Sequence, residues 1–567
     1  SGETKLFVDG TLIGTSTKTF SIIGLDVLQF SNGIAGDTPF FGKTKALAVW
    51  KEALSDQELA DLTYPTPTDP TFALDFDTIA TDFAFARGSE ATYVDAQGLI
   101  QSTNELGPEL ITNGDFSNGI PIGTNGSGWL GFVQDSNTIE YANEGVKLTV
   151  LGISASECKL YARTAAGSSV ILTVGKQYKV TYTVLENNGV SNFTYYIGGS
   201  YQQVPKTVGT HTYYFTQSIN GISVFRNSSL NSDITLDNVS IKEVITETNT
   251  PRLDYSTGAE AFLLEPQSTN LIPYSEDFSS LNIRNNAVVT SNQIISPSGL
   301  LDADEITFDG TSTGRVEASL STIVGQPYTI SLYLKNKNLS NVTQVWIGFS
   351  AASQGEFVTI TDEWQRYDIT TNADGTTEYP RIQFSGTGGL YAWGFQTEQQ
   401  TYATSYIPTE GSSVTRNQET CINATPEINS EEGVLYAEIS ALADDGAANR
   451  ISLSDGTSSN RLVIGYTASN NIEAFFVVNG VNQAYIPFTI DITNNNKIAV
   501  SYKLNDFSLW VNGSKVGTDT SVSVPNINTL NELQFRDSIG VPFFGNTKDL
   551  QVYTKALSDA ELIKLTT

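Results

Sequence analysis

Short stretches of strict alternation dominate this chain. KIAVSYKL (497–504), FSLWVNG (507–513) and LYAEIS (435–440) place apolar and polar side chains in turn, the period of a strand with one buried face. VGKQYKVTYTV (174–184), VGQPYTISLYL (324–334), GTHTYYFT (209–216) and EWQRYDIT (363–370) read the same way. Asn-Gly and Asp-Gly pairs punctuate the strands and supply the positive φ that tight hairpins need. Turn signals recur roughly every 8 to 12 residues, the spacing of antiparallel sandwiches. The pattern therefore predicts an all-β chain of tandem antiparallel β-sandwich (jelly-roll) domains. Helical spacing is confined to two matching places. Ser55-x-x-Glu58 and Ser558-x-x-Glu561 are capping boxes, each opening a helix of about two turns. Leu59/Leu62 and Leu562/Leu565 fall on one face of these helices.

The two ends of the chain repeat each other. FVDG, LQF and PFFGKTKALAVWKEALSDQELADLT near the start return as WVNG, LQF and PFFGNTKDLQVYTKALSDAELIKLT near the end. Phe7 and Trp510, like Glu58 and Glu561, stand 503 positions apart. The terminal copy has a long stretch before its WVNG turn (421–507) that the first copy lacks. Residues 1–64 are thus expected to be the C-terminal half of a sandwich, completed upstream or by another chain, and 411–567 a whole one. Two interior modules also match each other, at 107–245 and 273–410. Each has a DFS near its start, a central VGxxY strand and a long closing strand. Between them lie a linker and β segment (65–106, with PTPTDP at 65–70) and a returning β segment (246–272). The first interior module reads as an insertion, an arrangement tolerated when its ends lie close together.

Charge then excludes several roles. The 567 residues carry 31 Lys+Arg against 61 Asp+Glu, a formal −30. Phosphate neutralisation needs clustered cations, so no nucleic-acid partner is expected. No apolar run approaches the roughly 18 residues of a membrane helix, so no membrane insertion is expected either. The first ten residues show no basic-then-apolar leader pattern. Cys158 and Cys421 fall in different modules and read as free thiols, as in proteins assembled in a reducing cytoplasm.

Catalytic signals are sparse. The single histidine, His211, sits in a strand without a nucleophile elbow and reads as a surface or half-buried residue. Zinc spacings and phosphate-binding loops are absent from the sequence. Glycoside hydrolysis needs only two carboxylates, but the nearest acidic pairs, Glu431-Glu432 and Asp444-Asp445, fall at turns. No enzymatic activity is expected.

Three groups of motifs carry a resemblance. The VDG/VNG turn, FFG strand and ALSDxEL helix resemble the end of laminin-G-like, concanavalin-like sandwiches, each closed by one short helix. NGDF (113–116) and LDNVSI (236–241) resemble the first and last strands of carbohydrate-binding-module jelly rolls. WGFQTE with ATSYIPT (393–409), and FARGSEATYVDAQGLIQ (85–101), resemble segments of bacteriophage fibre and spike proteins. The carbohydrate-binding resemblance implies a structural calcium at Asp115 and Asp237, the motif positions, although both residues read equally as turn caps. Asp277 matches Asp115 but its closing strand offers Trp393 in place of an acid, so no second calcium is expected. Sugar stacking would fall to exposed aromatics: Trp129, Tyr195, Tyr196 and Tyr201 in the first module, and Trp346, Tyr391 and Trp393 in the second. Each reads also as core, and of the neighbours Tyr195 and Tyr196 either one faces outward or both sit at an edge.

The resemblance as a whole implies a non-enzymatic virion fibre, spike or decoration of a bacteriophage. It would be assembled in the host cytoplasm, bind bacterial surface polysaccharide and other virion proteins, and form a homo-oligomer such as a trimer. The alternatives are a bacterial adhesin, the carbohydrate-binding part of a secreted glycosidase, or a structural virion component that binds only protein.

Overall fold

The computed structural model describes residues 69–567 apart from 118–128, 143, 153–155, 165–167, 198, 246–247, 338–341 and 468–469. Before residue 69 it describes 4–8, 11–17 and a few isolated positions. The fold is nearly all-β, as the alternation predicts, and every named strand pairing is antiparallel.

The terminal sandwich packs an eight-stranded sheet on a five-stranded one. Strands Glu432–Ala441, Asn496–Lys503, Asp506–Val511 and Gly545–Tyr553 lie in the larger sheet, and Asn449–Ser454, Arg461–Thr467 and Asn471–Val478 in the smaller. Leu435, Ala437, Ile439, Ile464, Phe476 and Val500 close the core between them. The helix Asp559–Thr566 has its capping box, with Ser558 Oγ accepting from Glu561 N and the Glu561 carboxylate accepting from Ser558 N. It lays Leu562 and Leu565 over Trp510 and Tyr553 on the sheet's outer side. The larger sheet also takes strands from both connecting segments. Phe72–Ala73 pairs with Gly545–Tyr553 on one side, and Arg252–Asp254 extends Ala261–Leu264.

The end repeat holds at the level of register. Phe7 faces Leu12 and Val8 faces Thr11 in the first hairpin, while Trp510 faces Lys515 and Val511 faces Ser514 in the terminal one. Both have a bulge at the same place, after Leu6 and after Leu509. Leu6 and Val8 are exposed, whereas Leu509 and Val511 are buried. The first capping box involves Glu58, outside the described residues, as are the LQF and PFFG strands of that copy.

The two interior modules share one topology. In the first, the sheet order Gly209–Thr216, Gln177–Asn188, Ser232–Ile245, Gly145–Val150, Thr138–Ala142 packs on Ser200–Gln203, Phe193–Ile197, Val224–Asn227, Cys158–Ala162, Trp129–Val133. In the second, Gln365–Asn372, Pro327–Asn336, Thr387–Glu398, Leu301–Asp309, Ala287–Ile295 packs on Gly355–Thr359, Gln344–Gly348, Arg381–Phe384, Gly314–Glu317, Asn282–Arg284. Each sandwich thus pairs a sheet of long strands with a five-stranded sheet of shorter ones, and the second sheet turns one face outward.

Where the connecting segments meet the second module and the terminal sandwich, three arginines are buried together. Arg252 Nη2 lies 2.5 Å from Glu419 and 2.8 Å from Glu265, Arg87 Nη1 lies 2.8 Å from Glu419, and Arg416 Nη1 lies 2.8 Å from Glu265. Backbone carbonyls of Thr92, Thr250 and Pro266 and the Ser405 hydroxyl accept from the remaining guanidinium groups. Burial opposes the charge on Glu265, but Arg416 and Arg252 hold its carboxyl down at about 2. Both cysteines are buried free thiols. His211 departs from expectation: it is 3% exposed, packed 5.6 Å from Tyr182 and bonded to the Thr207 carbonyl.

Candidate functional site

The seven aromatics expected at the sugar site divide according to strand parity. Trp129 and Tyr195 point inward and correct the expectation for those positions. Trp129 is 0% exposed, donates to the Asn113 carbonyl and packs 5.2 Å from Phe116. Tyr195 packs 4.8 Å from Phe225 and shares a hydrogen bond with Ser223. Trp393 is also core, wedged between Tyr333 and Tyr406 beneath Ile100 of the connecting segment. Trp346 does face outward in register, but it is roofed by Phe357, 5.4 Å away edge-on, and is 8% exposed. Tyr391 is half-buried on the opposite sheet, Thr387–Glu398, and joins none of the others. Tyr196 and Tyr201 stay at the surface: they are cross-strand partners, half-buried, with rings 5.2 Å apart at 71°.

Around that pair the outward face of the first module's five-stranded sheet assembles charge. In CKLYA the inward Cys158, Leu160 and Ala162 leave Lys159 and Tyr161 outside. Register places Lys159 between Phe132 and Arg226. Lys159 Nζ sits 5.6 Å from the centroids of both Phe132 and Tyr201, and the Arg226 guanidinium is 4.7 Å from Tyr201. One carboxylate, Glu157, holds both cations at 2.5 and 2.6 Å. Aromatic rings flanked by fixed cations are a surface on which the apolar face of a sugar can stack and its hydroxyls can be bonded. Sequence reading found the tyrosines. It missed Phe132, Lys159 and Arg226, whose signal was the alternation in WLGFV, CKLYA and VFRN.

The matching face of the second module has fewer rings and more cations. Phe357, Trp346, Gln383, Arg315 and Arg284 are successive cross-strand neighbours over five strands. Glu317 sits beside them, with Arg284 Nε at 3.2 Å, Arg315 Nε at 2.8 Å and Arg381 Nη1 at 4.0 Å. Glycine is required under the tryptophan: a Cβ at Gly355 would lie 2.8 Å from Trp346 Cζ2 and 2.6 Å from Gly348 Cα.

The terminal sandwich's smaller sheet has an open groove of about 480 Å³ lined by Arg450, Arg461, Phe475 and Tyr485. Arg450 and Arg461 lie 5.2 and 5.5 Å from the Phe475 centroid. Arg450 is neutralised by Glu473 and Asp537 at 2.7 and 2.8 Å, so the groove is close to charge-balanced.

The NGDF turn and the LDNV strand do come together. Val239 N donates to Gly114 O at 2.9 Å, and only glycine fits there, because a Cβ would meet the Val239 carbonyl oxygen at 1.9 Å. Asp115 Oδ1 caps its own turn, accepting from Ser117. Asp237 Oδ1 is enclosed without a partner, and burial, then Asp115 and Glu144, push its carboxyl up. An enclosed carboxylate oxygen without a partner suits a hard cation. Among the described residues no three His, Cys, Asp or Glu side chains are arranged to hold a metal, so carbonyl oxygens would complete such a shell.

Among the described residues, three sandwiches with outward sheet faces bearing aromatics and arginines define a concanavalin-like and jelly-roll architecture. Residues 435–563 match the family model of the Concanavalin A-like lectin/glucanases superfamily, from the terminal sandwich's first long strand to its helix. No curated protein matches the chain. Among solved structures it is similar to the CBM40 of the Ruminococcus gnavus IT-sialidase bound to alpha2,3 sialyllactose, at 17% identity over 24% of this chain and 83% of that one, TM-score 0.22. It is similar also to the CBM22 tandem of Paenibacillus barcinonensis Xyn10C, at 11% identity over 52% and 98%, TM-score 0.18. Domain 4 of the Geobacillus stearothermophilus arabinanase AbnA, in complex with arabinotriose, gives 11% over 55% and 100%, TM-score 0.17.

Proposed function

We propose that this chain is a non-catalytic carbohydrate-binding protein that engages bacterial surface polysaccharide through the outward faces of its five-stranded sheets. The observation that carries the reading is the face holding Tyr196, Tyr201 and Phe132 around Lys159 and Arg226. Rings half-exposed on a rigid sheet and held by cations offer stacking without ordering cost at binding. The setting we propose is a bacteriophage fibre, spike or decoration, working as a homo-oligomer among other virion proteins. Its support is the resemblance of the 85–101 and 393–409 motifs. Calcium at Asp115 and Asp237 would tie the first module's opening turn to its closing strand.

The test is retention of the purified protein on an array of bacterial polysaccharides, with calcium and with chelator. Saturable binding that Tyr201→Ala weakens at least tenfold, with an unchanged circular dichroism spectrum, supports the site. Binding to no glycan by a folded protein sinks it and leaves the purely structural role. Sensitivity to chelator that Asp237→Asn abolishes would assign the metal.

A further inference from the structure

Among the described residues Glu317 is the only carboxylate in contact with three guanidinium groups, and that imbalance runs against the composition. The chain has about two acids for every base, 61 against 31, so a random patch of its surface is acidic. The face of the second module is the reverse, with a surplus of two positive charges once Glu317 is set against Arg284, Arg315 and Arg381. The Glu317 side chain is 5% exposed, while those of Arg284 and Arg315 are 52% and 30% exposed. Both reach Glu317 through Nε alone. Their Nη groups make no other bond among the described residues, so two planar donor forks stand at the surface. Arg381, more enclosed, donates to the Ser350 carbonyl, and its Nε is buried without a partner. Burial and the neighbouring Arg315 lower its proton affinity, the mark of a cation short of anions.

We propose that this face binds the carboxylates of an acidic polysaccharide, a polymer containing uronic acid. The inference rests on the carbohydrate-binding reading above and adds the ligand's charge class. A guanidinium fork matches a carboxylate with two parallel hydrogen bonds, which an ammonium cannot do. The surplus is arranged in line with apolar surface. Phe357, 63% exposed, and Trp346 stand on adjacent strands, with Gln383, Arg315 and Arg284 continuing the same row. Five strands at about 4.8 Å spacing make this row about 19 Å long. A chain of several sugars can therefore stack at one end and present carboxylates at the other. The first module's face, with Lys159 and Arg226 against Glu157, carries a surplus of one and would add avidity along the same polymer.

The experiment measures affinity of the full chain for polygalacturonate, alginate and hyaluronate, each beside its carboxyl-reduced neutral form, and for a panel of neutral bacterial polysaccharides. We expect at least one acidic polymer to bind, to lose tenfold or more on carboxyl reduction, and to weaken steeply with salt. Arg284→Gln with Arg315→Gln should reproduce that loss with unchanged melting. Glu317→Gln, which raises the surplus by one, should tighten the acidic polymer several-fold; a purely structural arginine cluster would instead weaken with it. Equal affinity for acidic and reduced forms overturns the charge class and leaves the glycan reading standing. Binding confined to neutral polysaccharides does the same. Binding to neither kind overturns both.

Discussion

Two arginine triads in this molecule use the same chemistry to opposite ends. Arg87, Arg252 and Arg416 are buried at the junction of the connecting segments and meet Glu265 and Glu419 at 2.5 to 2.8 Å, with a third buried acid, Glu398, bonded to the same Thr404 as Arg416. Arg284, Arg315 and Arg381 share one carboxylate at the surface. In the first triad charge is neutralised and donors are spent on carbonyls, because an unpaired ion away from water is very costly. In the second, water can complete the solvation, so surplus charge is tolerated and stays open to the ligand proposed above. What separates glue from site is the ratio of acids to bases and the access of solvent, not the residue type.

Glu419→Ala strips Arg87 of its carboxylate and leaves Arg252 to share Glu265 with Arg416, and we expect a loss of about 3–5 kcal/mol, read as a shift in denaturant midpoint. A null effect would mean that the junction does not hold the segments together.

Acid should act on the same triad. Glu265 is held at about 2 against an ordinary 4.5, so its contribution is fully present above pH 4.5 and is lost as pH falls toward 2. Denaturation between pH 5 and 2 should show that slope, and Glu265→Gln should flatten it. A second buried group has the opposite sign. Burial pushes Asp304 up to about 7, and burial with mutual repulsion raises Glu276 and Asp302. Their neutral forms favour the fold, so the contribution of these three groups is greatest at low pH and declines as pH rises from about 4 through 7. Glu276→Gln should make that decline shallower; an unchanged slope would show the carboxyls to be hydrated.

The smallest effect belongs to the surface. Arg315→Ala should cost less than about 1 kcal/mol of stability, since solvent screens its pair with Glu317, while removing most acidic-polymer affinity. A large stability loss there would move the second triad into the class of the first.

Much of the architecture was legible beforehand. Alternation and turn signals gave the strands, and the 503-residue repeat anticipated matching hairpins; the shared bulge after Leu6 and Leu509 emerged only in the structure. The capping box at Ser558 needed only local sequence. The site was legible in part. Trp129, Tyr195 and Trp393 carry the composition of a sugar platform, but parity turns the first two inward and the connecting segment covers the third. The forks on the second module's face come from strands that are distant in sequence, so no short motif announces them.

By itself, then, the sequence determined what is local or periodic: strands from alternation, turns from Asn-Gly pairs, the terminal helix from its cap, and the pairing of like modules from repeated motifs. These follow from short-range sterics and from burial of one face in two. Only the tertiary structure decided which acids and bases meet. Arg87 and Glu419 are 332 residues apart, and whether an arginine is neutralised or left to bind depends on register and on solvent access. Both are properties of the assembled sheets, because Coulomb energy and desolvation depend on distance in space rather than along the chain.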